Sequence, residues 1–117
     1  CTVLLEGKPI YACQILAVQV GERPVVTVEG LGEDDKLDRI QQAFLDNDGA
    51  QCGYCTPGFL LSAKALLEAN SRPTELEIRE ALSGNLCRCN AYGRILQSVR
   101  DSAEPAPRSG PVARTGK

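Results

Sequence analysis

The chain has 117 residues and a formal net charge of −2, enough for one modest domain or two very small ones and without a nucleic-acid footprint. It has no histidine, which excludes a Ser-His-Asp triad, a Cys-His nucleophile pair and any histidine metal ligand. A metal would have to be held by cysteine or carboxylate. Residues 1–31 read as β and turn. Thr2-Val3-Leu4-Leu5 is a short apolar run, Glu6-Gly7-Lys8-Pro9 a turn, and Ile10-Tyr11-Ala12 resumes the apolar pattern. Cys13 to Val20 is apolar without clean alternation, which leaves strand and short helix open. Val25-Val26-Thr27-Val28 is a second β-branched run closed by Glu29-Gly30.

From Leu37 the period turns helical, with Leu37, Ile40, Ala43 and Phe44 on one face, until Asp46-Asn47-Asp48-Gly49 ends it. The acidic run Glu33-Asp34-Asp35 before it reads as a solvated lead-in that suits the helix dipole. A second helix is expected with Thr56 as N-cap and Pro57 in the first helical position. Its face is Leu60, Leu61, Ala63 or Lys64, and Leu67, and it ends near Asn70-Ser71. Thr74-Glu75-Leu76-Glu77 is a capping box that opens a third helix to about Leu82, stopped by Gly84. A fourth follows Tyr92, with Ile95, Leu96 and Val99 as its stripe. Four short helices with short connections predict a compact bundle. Residues 103–117, with three Pro, two Gly and no apolar pattern, are expected to be a disordered tail. No apolar run approaches the roughly 20 residues of a membrane span.

Four of the six cysteines form two tight pairs, Cys52-Gly53-Tyr54-Cys55 and Cys87-Arg88-Cys89, each in a loop leading into a helix. If those helices lay side by side and parallel, four thiolates would meet at one end of the bundle. Helix N-termini favour anions there, and Arg88 adds a cation between two ligands. Spacing alone leaves an iron–sulfur cluster and a zinc site level. Disulfides stand behind them: pairing within C-x-C is strained, and six cysteines in 117 residues fall short of a secreted scaffold. A dithiol redox motif would leave the C-x-C pair unexplained. Cys1 and Cys13 form a looser pair that cannot complete a four-thiolate site, and read as half of a site whose other half is missing.

Gln51-Cys52-Gly53-Tyr54-Cys55-Thr56-Pro57-Gly58, followed by Ser83-Gly84-Asn85-Leu86-Cys87-Arg88-Cys89 and then Tyr92 and Ile95, resembles the iron–sulfur subunit of the xanthine oxidase family of molybdenum hydroxylases. The stretch from Cys1 to Cys13 resembles that family's amino-terminal domain. The resemblance implies an α+β fold. The C-terminal part of a ferredoxin-like β-grasp domain (residues 1–31) would precede a four-helix [2Fe-2S]-binding bundle (residues 32–102). It implies Cys52, Cys55, Cys87 and Cys89 as cluster ligands, and Gln51 and Cys89 as the residues nearest the molybdopterin of a partner subunit. Cys1 and Cys13 match the last two of the four ligands of the ferredoxin-like cluster, so that site is expected to be incomplete here. Asn90-Ala91 stand where the family often has Thr-Gly, and Asn90 is expected to cap the fourth helix.

The implied function is electron transfer from a molybdopterin-binding large subunit toward a ferredoxin-like cluster and then FAD in a medium subunit, or another acceptor. One [2Fe-2S] cluster is expected in this chain, and no catalytic residue of its own. The chain opens on Cys1 without an initiator Met and reads as trimmed. The expected location is the cytoplasm, or the periplasm if a leader preceded Cys1. The contrasting reading is a zinc-stabilised interaction module without redox function.

Overall fold

Strand β1 (Thr2–Leu5) turns back into β2 (Lys8–Tyr11) through two residues, Glu6 and Gly7. Both take positive φ, 52° and 79°, as a tight primed hairpin turn requires. The turn is therefore narrower than the four residues expected, and Lys8 and Pro9 belong to β2. Proline is tolerated there because the sheet order is β2-β1-β3, which leaves β2 on an edge. Strand β3 (Val25–Val26) pairs antiparallel with the other side of β1. It stops two residues short of the expected run. Thr27 donates its hydroxyl to Glu29 (2.9 Å), and its carbonyl accepts from the Gly30 N–H (2.9 Å), bending Val28–Gly30 into a 3-10 turn. The ambiguous Cys13–Val20 stretch becomes a 3-10 turn, Ala12–Gln14, followed by the short helix α1 (Ala17–Val20).

The structure is a computed structural model and describes residues 1–103. Ala103 apart, the expected disordered tail lies outside the described residues. Four longer helices follow the sheet: α2 (Arg39–Asp46), α3 (Thr56–Ala69), α4 (Glu75–Leu82) and α5 (Tyr92–Ser102). Helix α2 begins later than expected. Asp38 is its N-cap, accepting from the Ile40 N–H at 3.0 Å, while Gln41 reaches back to the Asp38 N–H at 2.8 Å. Leu37 consequently lies outside the helix and half exposed, and the buried face is Ile40, Ala43 and Phe44. The capping box of α4 is as expected: Thr74 accepts from Glu77 N–H (3.2 Å) and Glu77 from Thr74 N–H (2.6 Å).

Two expected caps are not made. Cys55 already has helical dihedrals and is the N-cap of α3, so Thr56 is its first helical residue and Pro57 the second. Asn90 takes a left-handed conformation (φ 61°), and Ala91 precedes α5 without a side-chain cap.

Helix α2 packs against α3 and α5, and α4 against α3 and α5, so α3 and α5 face each other across a ring. The sheet sits on α3. Leu4 of β1 and Leu31 join the core that contains Ile40, Phe59, Ile78, Ile95 and Val99. Phe59 is 1 % exposed and the largest fully buried side chain, and its truncation to Ala costs about 3–5 kcal/mol. Ser98 and Ser102 are also buried, and each hydroxyl donates to a carbonyl one turn back (2.7 Å in both). Among the described residues, no helix is long and apolar enough to cross a membrane.

Asp38 serves a second element: its other carboxylate oxygen accepts from Lys64 of α3 at 2.6 Å. That contact raises the lysine pKa. The pair's contribution is full at neutral pH and is lost as pH rises through the raised value. Asp38→Ala is expected to lower unfolding stability by about 1–2 kcal/mol, most of it the lost cap. Asp38→Asn should lose less at neutral pH because the amide oxygen still caps. Urea denaturation of both variants checks this.

Candidate metal centre

The loop between α2 and α3 and the loop between α4 and α5 carry the two cysteine pairs. Two contacts hold these loops together. The rings of Phe59, in the first turns of α3, and Tyr92, which opens α5, meet edge to face with centroids 6.2 Å apart. The Tyr92 hydroxyl accepts the Cys87 backbone N–H at 2.8 Å. The thiols thus come together although α3 and α5 are not side by side. Tyr92 was legible in the sequence as a helix start, but its grip on Cys87 was not. The only available signal was an aromatic hydroxyl five residues after a ligand candidate.

Burial grades across the site. Cys87 is buried, Cys55 and Cys89 are partly buried, and Cys52 is exposed together with Gln51, Gly53 and Arg88. Tyr54 and Leu86 project almost fully into solvent at the same end, 95 % and 80 % exposed. All six cysteines are free thiols in this structure.

Cys89 acts on Cys52 and Cys87 on Cys55, while Cys87 also bears on Cys52 and Cys52 on Cys55, so the four thiols share one site. The Tyr54 N–H and the Cys89 thiol favour the Cys52 thiolate and lower its pKa. The Ala91 N–H, 3.4 Å from Cys87 Sγ, does the same for Cys87. Burial, with help from Cys87, pushes the Cys55 thiol up to about 11. Backbone donors aimed at sulfur suit a centre that must remain anionic and gain further charge.

Among the described residues, no three cysteine or carboxylate side chains gather around a single metal position. A tetrahedral zinc site needs four thiolates on one ion. Four thiolates also suit a cluster of two irons, each holding two of them. Beside Cys55, the Thr56 hydroxyl oxygen is buried without a hydrogen-bond partner among the described residues. A polar atom left so beside a thiol ligand candidate fits a site that expects a further group. Cys1 and Cys13 lie elsewhere, both exposed, at the open end of the β1–β2 hairpin, where Ala12 N–H donates to the Cys1 carbonyl (2.7 Å).

Comparison with known proteins gives concordant results. The profile of the [2Fe-2S] binding domain family matches residues 27–100. The small FeS subunit of nicotinate dehydrogenase from Eubacterium barkeri is 50% identical over 104 residues, covering 89% of this chain and 66% of that protein. The small subunit of nicotine 6-hydroxylase from Paenarthrobacter nicotinovorans is 49% identical over 102 residues, covering 87% of this chain and 61% of its own length. The chain therefore spans less than two thirds of the length of these curated relatives. Among solved structures, quinoline 2-oxidoreductase from Pseudomonas putida 86 superposes with a TM-score of 0.82 at 42% identity, over 86% of this chain and 62% of that one. The mixed architecture of helices and a small sheet is thus a known one.

The opposed thiol shifts are open to direct observation. In the metal-free chain near neutral pH, Cys52 should react with iodoacetamide faster than Cys55, being both more exposed and more ionised. Time-resolved mass spectrometry of the cysteine peptides measures the ratio. Equal rates would contradict the environments described.

Proposed function

We propose that this chain, which belongs to the [2Fe-2S] binding domain family, is the electron-transfer part of a molybdenum hydroxylase. Family membership brings with it a [2Fe-2S] cluster. In this reading Cys52, Cys55, Cys87 and Cys89 hold it, and α2–α5 with their loops, residues 32–102, form its four-helix domain. The observation that carries the reading is the pairing of four free thiols at the starts of two helices locked together by Phe59 and Tyr92.

When bound, the cluster accepts and returns one electron. The chain's own residues set the terms. The Ala91 and Tyr54 N–H groups stabilise negative charge on sulfur, which favours the reduced state. Burial of Cys87 and partial burial of Cys55 keep water from one side of the site. The exposed Cys52, Gly53 and Gln51 face outward, where a redox partner can approach.

That partner is proposed to be a molybdopterin-binding subunit, with Gln51 and Cys89 nearest the pterin. The Gln51 amide offers both donor and acceptor groups to a polar ring. Residues 1–31 are read as the C-terminal part of a β-grasp domain. Cys1 and Cys13 would supply two ligands of a second cluster that passes electrons to FAD on another subunit. A cytoplasmic location belongs to the same reading, since a reducing compartment keeps all six thiols free for cluster assembly.

Reconstituted with iron and sulfide, the 117-residue chain should be red-brown and hold about two irons, because Cys1 and Cys13 supply only two of the four thiolates a second cluster needs. Cys87→Ser should abolish the paramagnetic signal of the reduced protein. A normal signal in that variant would overturn the ligand assignment, and one zinc in place of iron would overturn the redox role. Gln51→Ala should keep cluster and fold but slow cluster reduction by substrate in the reconstituted complex. The loss corresponds to a positioning hydrogen bond of about 0.5–1.5 kcal/mol. Stopped-flow absorbance reads that rate, and an unchanged rate at unchanged subunit affinity would make Gln51 an ordinary surface amide.

A further inference from the structure

Buried hydroxyls in this protein have hydrogen-bond partners, with one exception. Ser98 and Ser102 each donate to a carbonyl one turn back in α5 (2.7 Å in both), and Ser62 donates to the Asn85 side-chain oxygen at 2.8 Å. Among the described residues, the Thr56 hydroxyl oxygen is the one buried side-chain oxygen or nitrogen left without a partner. Its place in the chain explains the difference from the serines. Thr56 is the first residue of α3, so the carbonyl one turn back belongs to Cys52, in the loop and outside the helix. The next residue, Pro57, has no N–H to offer the oxygen. The sulfurs around Thr56 differ in what donates to them. Cys52 has the Tyr54 N–H, and Cys87 has the Ala91 N–H at 3.4 Å. Cys55 stands directly before Thr56. Its own N–H favours its anion, and burial outweighs that help. An unmatched donor and a poorly supplied sulfur are therefore consecutive residues.

We propose that the Thr56 hydroxyl donates a hydrogen bond to a sulfur on the Cys55 side of the bound cluster and so raises the cluster's reduction potential. The proposal rests on the reading of Cys55 as a ligand of a [2Fe-2S] cluster. Reduction adds one electron, and part of the added negative charge falls on the sulfurs. A hydroxyl aimed at sulfur stabilises the more negative state more, which favours the reduced form. The hydroxyl keeps its proton throughout, and only the electron crosses. Partial burial strengthens the effect, because little water competes for the sulfur on that side. A buried hydroxyl with no acceptor is destabilising, so its retention beside a ligand calls for an acceptor that arrives with the cluster.

The experiment uses the 117-residue chain reconstituted with iron and sulfide, unaltered and as Thr56→Val and Thr56→Ser. Valine keeps the branched shape and removes the hydroxyl, whereas serine keeps the hydroxyl. A mediated redox titration followed by electron paramagnetic resonance gives the potential of each. Thr56→Val should keep about two irons and the paramagnetic signal of the reduced cluster. At a fixed applied potential its ratio of reduced to oxidised cluster should fall about tenfold, which is about 59 mV for one electron. Thr56→Ser should stay close to the unaltered chain. Where Thr56→Val takes up no iron, Thr56→Ala against Thr56→Ser is read with the same expectation. Full iron with an unchanged potential in the hydroxyl-free variant overturns the donor role and leaves Cys55 a ligand, the hydroxyl then being matched by a buried water. An equal fall in Thr56→Ser also overturns it, since the hydroxyl would not be the cause. An unaltered chain that takes up zinc, or iron without the paramagnetic signal, overturns the cluster reading itself and the proposal with it.

Discussion

The hydrogen bond from the Cys87 N–H to the Tyr92 hydroxyl holds together more of this molecule than its size suggests. It closes the Cys87–Ala91 segment over the start of α5, so that the Ala91 N–H turns inward and finds Cys87 Sγ. The same tyrosine ring leans edge-on against Phe59, whose helix begins one residue after Cys55. One side chain thereby locates both cysteine loops relative to one another. Around it the four helices form a ring in which α3 and α5, the two that follow the cysteine loops, stand opposite one another. A thiol cluster assembled across such a ring depends on every helix keeping its place. This is the sense in which the core beneath it, from Ile40 to Val99, serves the site above.

Three buried serines are likewise held by hydrogen bonds. Ser62, Ser98 and Ser102 are all buried, and each hydroxyl has an acceptor within 2.8 Å. An unpartnered hydroxyl in such a place would cost about 1–3 kcal/mol. Ser98 and Ser102 return their protons to their own helix and let α5 lie close to α2 with small side chains between. Ser62 is different, since its bond leaves the helix and ends on a loop. The contrast marks which buried hydroxyls serve packing and which connect separate elements.

Much of this was legible in the chain, and the reasons differ by element. The helix at Glu75–Leu82 was readable because Thr74 and Glu77 satisfy each other locally, with no need of the rest of the fold. Helix α2 was placed too early because Leu37 continues the apolar period. The Asp38 cap, which ties in Lys64 from a distant helix, outweighs that pattern. Strand β3 was read too long because β-branched residues continue to Val28, while the Thr27–Glu29 hydroxyl–carboxylate contact bends the backbone away. The two cysteine pairs were plain from spacing, and the family resemblance from the motifs around them. The coupling of Cys52 with Cys89 and of Cys55 with Cys87 was not, because it crosses between loops and depends on tertiary placement. Nor did Asn90 announce that it would bend left-handed instead of capping, since both uses suit asparagine equally.

Pro9 carries a consequence beyond tolerance at a sheet edge. An exposed strand is a template on which another chain can add itself, and a sheet of three short strands has two such edges. Along β2 the proline removes a backbone donor, and Lys8 beside it brings an exposed charge that an incoming strand would have to desolvate. Along β3 only two residues are extended before the chain coils. Neither border offers the run of unpaired backbone groups from which aggregates grow. The small sheet can thus carry two exposed cysteines at the open end of its hairpin while its own flanks discourage association through the backbone.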